Sequence, residues 1–324
     1  MKKTIISILK IIIPLGIGIY LTWFFINNLS DVELQNLKNA FFKADYSFMI
    51  YGVLITLASH MSRSYRWKYM LESLGHKPKF WKMYHSVMIG YILNLTIPRS
   101  GEVARAGYYS KHQKNAPFDK VFGTIVVERV IDVLMLGLMM GVTLFLQKDL
   151  DAFNAIKDNE SIESSIPVWA YYVVGGIFAL GIVLILLIKP LKEKVIGFIK
   201  GILEGVKTIF KLKQRVAYIM HTFFIWLCYL LMIWVCSFAL PETSGLSVAA
   251  VFAIFAIGGV AMSTTPGGIG LYPIMVSAAL TTLYGVENAE SFAILAWAAL
   301  TVFTILAGLI SLVALPLISK KDND

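Results

Sequence analysis

Six ionisable residues lie inside otherwise apolar stretches of this chain: Arg99, Glu102, Arg105, Glu128, Arg129 and Asp132. Their spacing is helical. Glu102 and Arg105 share a face if a helix starts after Pro98, Arg129 reaches Asp132 at i+3, and Glu128 and Asp132 stand one turn apart. Guanidinium groups bind phosphate oxygens in a two-pronged fashion. Backbone N–H groups at the Ser100-Gly101 break, where a half-helix begins, would add donors, and Asn94 is a further candidate for headgroup binding. Three bases against three acids sum to zero, which predicts a charge-compensated pocket in which an anionic headgroup competes for the arginines. Glu128 and Asp132 would share a proton if Arg129 were drawn away. The same six residues would also serve as an ion-pair clamp. His76, His85, His112 and His221 have no metal-ligand spacing, and no nucleophile–base pair is evident. No metal and no cofactor are therefore expected.

The elements that must position these residues follow from composition. Of 324 residues, 57% are apolar and 15% charged, with a mean hydropathy of +0.71. Soluble domains run near 45–50% and about 25%. The apolar residues form blocks long enough to cross a hydrocarbon core of about 30 Å, which excludes a soluble enzyme. Six blocks are expected as full spans: 4–26, 46–62, 118–146, 167–189, 216–239 and 290–318. Glu128 then lies about 15 Å into its span. The N-terminal block lacks a small-residue cleavage site and is expected as a retained span.

Two further apolar stretches, 83–112 and 247–285, are broken by Pro and Gly into half-helices too short to span. The second break, Thr264-Thr265-Pro266-Gly267-Gly268-Ile269-Gly270, carries no charge. Its glycines permit close backbone approach. It lacks the GxxxxGK[ST] pattern and the following strand of a nucleotide-phosphate loop.

The net charge of +9 is an orientation signal under the positive-inside rule, so no nucleic-acid partner is expected. The N-terminus, 63–82, 111–120 and 189–215 are basic, whereas 31–45, 147–166, Glu242 and the pair Glu287/Glu290 are acidic. Both termini are thus expected in the cytoplasm. Stretch 83–112 has basic flanks and returns to the inner side; 247–285 has acidic flanks and returns to the outer side. The result is an all-α, multi-pass membrane protein with six spans and two re-entrant hairpins in one domain, 1–324. Residues 1–150 and 151–324 form an inverted-topology repeat, an arrangement that places transporter sites at the midplane between repeats. Non-helical backbone there must be buried in protein or line a cavity, so the two breaks are expected as inner and outer gates. Residues 31–45 and 191–213 read as surface amphipathic segments, the second suited to an anionic leaflet. His60 is expected to snorkel or cap near the inner end of the second span.

The run Asn94-Leu-Thr-Ile-Pro98-Arg99-Ser100-Gly101-Glu102-Val-Ala-Arg105, then Glu128-Arg129-Val-Ile-Asp132, then Thr265-Pro266-Gly267-Gly268-Ile-Gly270 resembles the signature of the lysylphosphatidylglycerol synthase transmembrane-region family. The likeness covers nearly the whole chain. It implies a flippase-like domain that moves a phospholipid or polyprenyl-phosphate-linked lipid between leaflets of the cell membrane. The sequence ends at Asp324, so no aminoacyltransferase region is expected, and no enzymatic step. Two other readings stand beside it: a membrane-embedded lipid-modifying transferase using Glu128 or Asp132 as base, and an accessory protein to a separate lipid synthase.

Overall fold

A computed structural model describes residues 2–97, 100–147 and 188–321. Among them all regular structure is helical, as eleven α-helices: α1 Lys2–Asn27, α2 Asp31–Lys43, α3 Tyr46–Ser73, α4 Phe80–Asn94, α5 Gly101–His112, α6 Phe118–Leu146, α7 Lys189–Lys211, α8 Arg215–Ser237, α9 Val248–Thr264, α10 Leu271–Tyr284 and α11 Ala289–Lys321. The expected span 167–189 falls almost wholly outside the described residues. By length and composition α6, α8 and α11 are each able to cross a membrane, and α2 with α3 would make a fourth span bent by 76°.

Local sequence sets the boundaries. Ser30 and Glu33 form a reciprocal capping box at the start of α2: the Ser30 N–H donates to Glu33 Oε2 at 2.7 Å and the Glu33 N–H to Ser30 Oγ at 3.3 Å. Such a box satisfies two of the donors that a helix start leaves without partners. Asp45 caps α3 through the Ser47 N–H at 2.9 Å, and its own N–H donates to the Ala239 carbonyl at the end of α8. Gly285, in the left-handed region at φ 63°, closes α10.

The helices pack in a reciprocal pattern. The long helices α3 and α8 lie antiparallel along each other, with Gly52 against Cys236 near one end and Ser62 bonded to His221 near the other. Helix α4 pairs with α5 and rests on α11, while α9 pairs with α10 and rests on α6. Surface helix α2 packs on α11, and α7 packs on α6. Helix α1 touches α10 and the turn before it.

Two large apolar cores result, with a smaller one around Met135, Ile225 and Trp226. One joins the start of α3 to the end of α8 and to α9–α11, around Tyr272, Val276, Leu280 and Phe292. The other joins the end of α3 to α4–α8, around Trp67, Met83, Tyr109, Ile125 and Tyr218. Both cysteines are buried and unpaired.

One expected boundary is corrected. The second span was expected to stop at residue 62, with Arg63 and Arg66 in a basic loop; α3 instead continues to Ser73. The physical reason is that both arginines find carboxylates on α6 and so remain helical and buried, at 4% and 0% exposure. His60 is likewise interior. Its ring packs against Tyr91 at 4.5 Å and Phe303 at 6.1 Å between centroids, so it neither snorkels nor caps.

Candidate functional site: a buried arginine–carboxylate cluster

Three helices bring charge to one place. Helix α6 presents Glu128 and Asp132, one turn apart on the same face. Arg105 of α5 places Nη1 2.7 Å from Glu128 Oε2. Arg66 of α3 bridges both carboxylates, with Nε 3.3 Å from Glu128 Oε1 and Nη2 2.9 Å from Asp132 Oδ1. Asp132 Oδ2 is met by Arg63 Nη1 at 3.0 Å and by Arg129 Nη2 at 2.8 Å. The last contact is the i,i+3 pair expected from spacing. At the rim, Arg129 Nη1 stands 3.7 Å from Glu102 Oε1.

Helix α8 supplies uncharged support. Arg63 Nη2 donates to the Tyr229 hydroxyl at 2.8 Å, and Arg66 Nη1 to Thr222 Oγ1 at 3.3 Å. Aromatic faces cover two guanidinium groups: Arg105 lies 3.8 Å from the centroid of the Trp67 ring and Arg66 5.4 Å from that of Tyr218. Trp67 is itself fixed through Nε1 to Thr124 Oγ1 at 2.8 Å.

The site is graded in depth. The side chains of Arg66 and Glu128 are fully buried, Asp132 is 13% exposed, and Glu102 and Arg129 are 25% and 42% exposed. Burying each ion costs several kcal/mol after relaxation, repaid only by close geometry and further hydrogen bonds. Here every carboxylate has at least one arginine. Several atoms are nonetheless buried without a hydrogen-bond partner: Arg63 Nε, both Nε and Nη2 of Arg105, Arg129 Nε, and the carboxylate oxygens Glu102 Oε2 and Glu128 Oε2.

Two expectations about charge change as a result. With Arg63 and Arg66 included, four arginines face three carboxylates among the described residues, so the cluster carries an excess of one positive charge rather than none. Both oxygens of Glu128 and both of Asp132 already face guanidinium groups. Even without Arg129, Asp132 keeps Arg63 and Arg66 and Glu128 keeps Arg66 and Arg105, so neither carboxylate is freed of its arginines.

The other residues singled out from sequence are placed differently. Pro98 and Arg99 lie outside the described residues. Asn94, Ser100 and Gly101 staple the break between α4 and α5. Asn94 Oδ1 accepts the Gly101 N–H at 2.7 Å, and the Ser100 hydroxyl reaches the Ile97 and Leu93 carbonyls at 2.8 and 3.1 Å. The Gly101 N–H is thus taken up within the hairpin.

At the other break, Thr264 and Thr265 return their hydroxyls to the carbonyls of Val260 and Ala261. Pro266–Gly268 form a single tight turn. The Gly267 carbonyl accepts Trp297 Nε1 at 2.8 Å. Gly268 lies against Met262 and Tyr272, and Gly270 against Gly18 and Leu21 of α1. A side chain at Gly267 would collide with Leu95, so the two breaks touch at their tips.

Arg63 and Arg66 are the residues that sequence reasoning missed. The signal was present, since an i,i+3 arginine pair continuing an apolar run complements an i,i+4 carboxylate pair elsewhere. Thr222 and Tyr229 left no such signal. Among the described residues no group of three or more His, Cys, Asp or Glu could hold a metal ion.

The model of the lysylphosphatidylglycerol synthase transmembrane region matches residues 11–308. Two UPF0104 membrane proteins are similar: one from Pyrococcus horikoshii, 28% identical over 30% of this chain and 30% of its own length, and one from Methanocaldococcus jannaschii, 26% identical over 40% of this chain and 36% of its own. Glycosyltransferase AglD of Haloferax volcanii is 31% identical over 31% of this chain and 16% of its own length. The chain thus spans only about a third or less of the curated relatives it matches. No solved structure matches it. The match to the family model, which covers all six residues of the predicted cluster, shows that this multi-pass membrane protein belongs to the family of the lysylphosphatidylglycerol synthase transmembrane region.

Proposed function

We propose that the protein moves an anionic, phosphate-bearing lipid, either a phospholipid or a polyprenyl-phosphate-linked lipid, between the leaflets of the cell membrane, with the arginine–carboxylate cluster engaging its headgroup. The observation that carries this reading is the surplus cation together with guanidinium N–H groups that are buried and unpartnered. A buried donor without an acceptor costs about 1–3 kcal/mol, and a phosphate oxygen is the acceptor that would recover it. Arg129 and Glu102 form the accessible rim, while Arg105, with Arg63 and Arg66 below, forms the floor. Arg99 remains in the proposed set on its sequence position.

The architecture that suits this task is six spans and two re-entrant hairpins in an inverted-topology repeat, with both termini cytoplasmic. Reciprocal packing supports it: α4 lies on α11 as α9 lies on α6, α2 on α11 as α7 on α6, and α3 against α8. In such a repeat the hairpin tips act as inner and outer gates.

The transferase reading draws on the name of one relative, a glycosyltransferase of which this chain matches 16%. It needs a free carboxylate as base, and Glu128 and Asp132 are both held by two or more arginines. We therefore assign the protein no chemical step of its own. An accessory role beside a separate synthase would leave the cluster tolerant of neutral substitution and α7 intolerant.

Reconstituted vesicles with leaflet-resolved lipid probes test the proposal. Anionic lipid should cross at a rate that Arg129→Gln and Arg105→Gln each lower at least tenfold, with every lipid chemically unchanged. Movement of no anionic lipid, with or without a proton gradient, would overturn it, as would chemical conversion of a lipid by the purified protein.

A further inference from the structure

The α3–α8 pair has two faces. Arg63 and Arg66, with Tyr218, Thr222 and Tyr229, look toward the cluster. The other face holds a concavity of about 520 Å³, lined by Ala58, Met61, Ser62 and Tyr65 of α3 and by Ala217, Met220, His221 and Phe224 of α8. We propose that this groove binds an acyl chain of an anionic glycerophospholipid, whose phosphate rests on the basic end of the helix pair at Lys68, Lys213 and Arg215.

The groove is built by side-chain size. Ala58 and Ala217 leave a gap between two long helices, and the Ser62–His221 hydrogen bond of 2.7 Å holds the helices at a fixed width across it. The Tyr65 ring stacks on His221 with planes 4° apart, making a wall. Around it Val216, Met220, Phe223 and Phe224 are exposed apolar groups at 46–67%, as suits a face turned to hydrocarbon.

The volume falls within the ordinary range for small-ligand sites, about 300–1,000 Å³. A flexible hydrocarbon chain is the occupant of matching shape and chemistry.

The charge selects the headgroup. Because α3 and α8 run antiparallel with Ser62 opposite His221, Lys68 falls opposite Arg215. Lys68 is also seven residues from Met61 and so on the groove side of its helix. Its pairing with Glu72, at 3.6 Å and about one-third exposed, is a surface i,i+4 contact worth only about 0.3–0.5 kcal/mol. A phosphate can readily displace it. Lys213 is exposed at the turn into α8, and Arg215 uses one N–H on the Phe210 carbonyl at 3.3 Å, leaving its other donors available. Basic side chains near a bilayer surface attract anionic lipid by about 1 kcal/mol each. The site stands apart from the cluster and does not depend on the transport proposal.

The test uses the full chain in nanodiscs doped with phosphatidylglycerol or phosphatidylcholine bearing a photoreactive acyl chain. Cross-linked residues are mapped by peptide mass spectrometry. Met61, Met220 or Phe224 should be labelled several times more by the glycerol lipid than by the choline lipid, and more than Ile310 and Val313 on the exposed face of α11. Lys68→Gln with Lys213→Gln should lower that preference severalfold, to what Arg215 alone supports, while changing choline-lipid labelling less. Ala58→Leu with Ala217→Leu should lower labelling by both lipids. Equal labelling by the two lipids, or groove labelling no greater than on α11, would overturn the proposal. Lys213 is exposed and Lys68 only half-buried, so their variant decides the matter even if the alanine variant does not fold.

Discussion

The two breaks that interrupt the bundle solve the same problem with opposite chemistry. Between α4 and α5 the chain turns on polar groups, with Asn94 and Ser100 satisfying backbone donors and carbonyls across the gap. The helix that follows delivers Glu102 and Arg105 to a charged cluster. Between α9 and α10 the chain turns on glycines at φ 58°, 74° and 72°, and its neighbours are Leu95, Met262, Tyr272, Trp297 and α1. The first region is therefore constrained by charge balance and the second by volume. A membrane interior supplies neither water nor counterions, so a charged element must carry its own partners. An apolar element needs only close contact, and small residues provide it.

The largest expected effect breaks the charged side. Glu128→Ala leaves Arg105 without its buried carboxylate and Arg66 with Asp132 alone, and should cost about 3–5 kcal/mol, read as a lowered unfolding midpoint in detergent. Glu128→Asp should recover part of it, because charge and not shape is the constraint. A Glu128→Ala midpoint equal to the parent would remove the contrast between the two regions.

The next breaks the volume side. A Cβ at Gly270 would fall 2.6 Å from the Gly18 carbonyl oxygen, at a φ of 72° that L-residues rarely adopt. Gly270→Ala should destabilise by about 1–3 kcal/mol, with no change in the charge requirements of the cluster. Asn94→Ala should cost about 1 kcal/mol, the usual loss of a side-chain cap, because the Gly101 N–H loses its acceptor.

The smallest effect lies outside both regions and serves as their control. The Ser30 hydrogen bonds hold the Glu33 carboxyl below its ordinary value. Its contribution to α2 is complete above about pH 4.3, the unfolded value, and is lost as pH falls through the lower folded value. Hydrogen exchange in α2 should rise over that window, and Ser30→Ala should abolish the pH dependence while leaving α9 and α10 unaffected.

Much of this was legible in the residues. Pro and Gly marked both breaks, and helical spacing found Arg105, Glu128, Arg129 and Asp132 because charges at membrane depth stand out against an apolar background. Arg63 and Arg66 were misplaced because counting Lys and Arg by segment does not ask whether a carboxylate lies opposite. Segment 63–82 stays basic without them, through Lys68, Lys77, Lys79 and Lys82. The orientation signal therefore survives, while the electrostatics of the cluster do not. Thr222 and Tyr229 were invisible because an uncharged residue acquires its role only once α3 and α8 are known to pair.

The contact between Leu95 and Gly267 has a consequence for descent. The two positions lie 172 residues apart, yet they share a single parcel of space. A side chain at the glycine would have to displace the far end of the leucine side chain as well as hold a φ of 58°, so it is accommodated more readily where position 95 is smaller. The pair should therefore covary across related sequences, so that substitutions tolerated at one tip report which residue occupies the other.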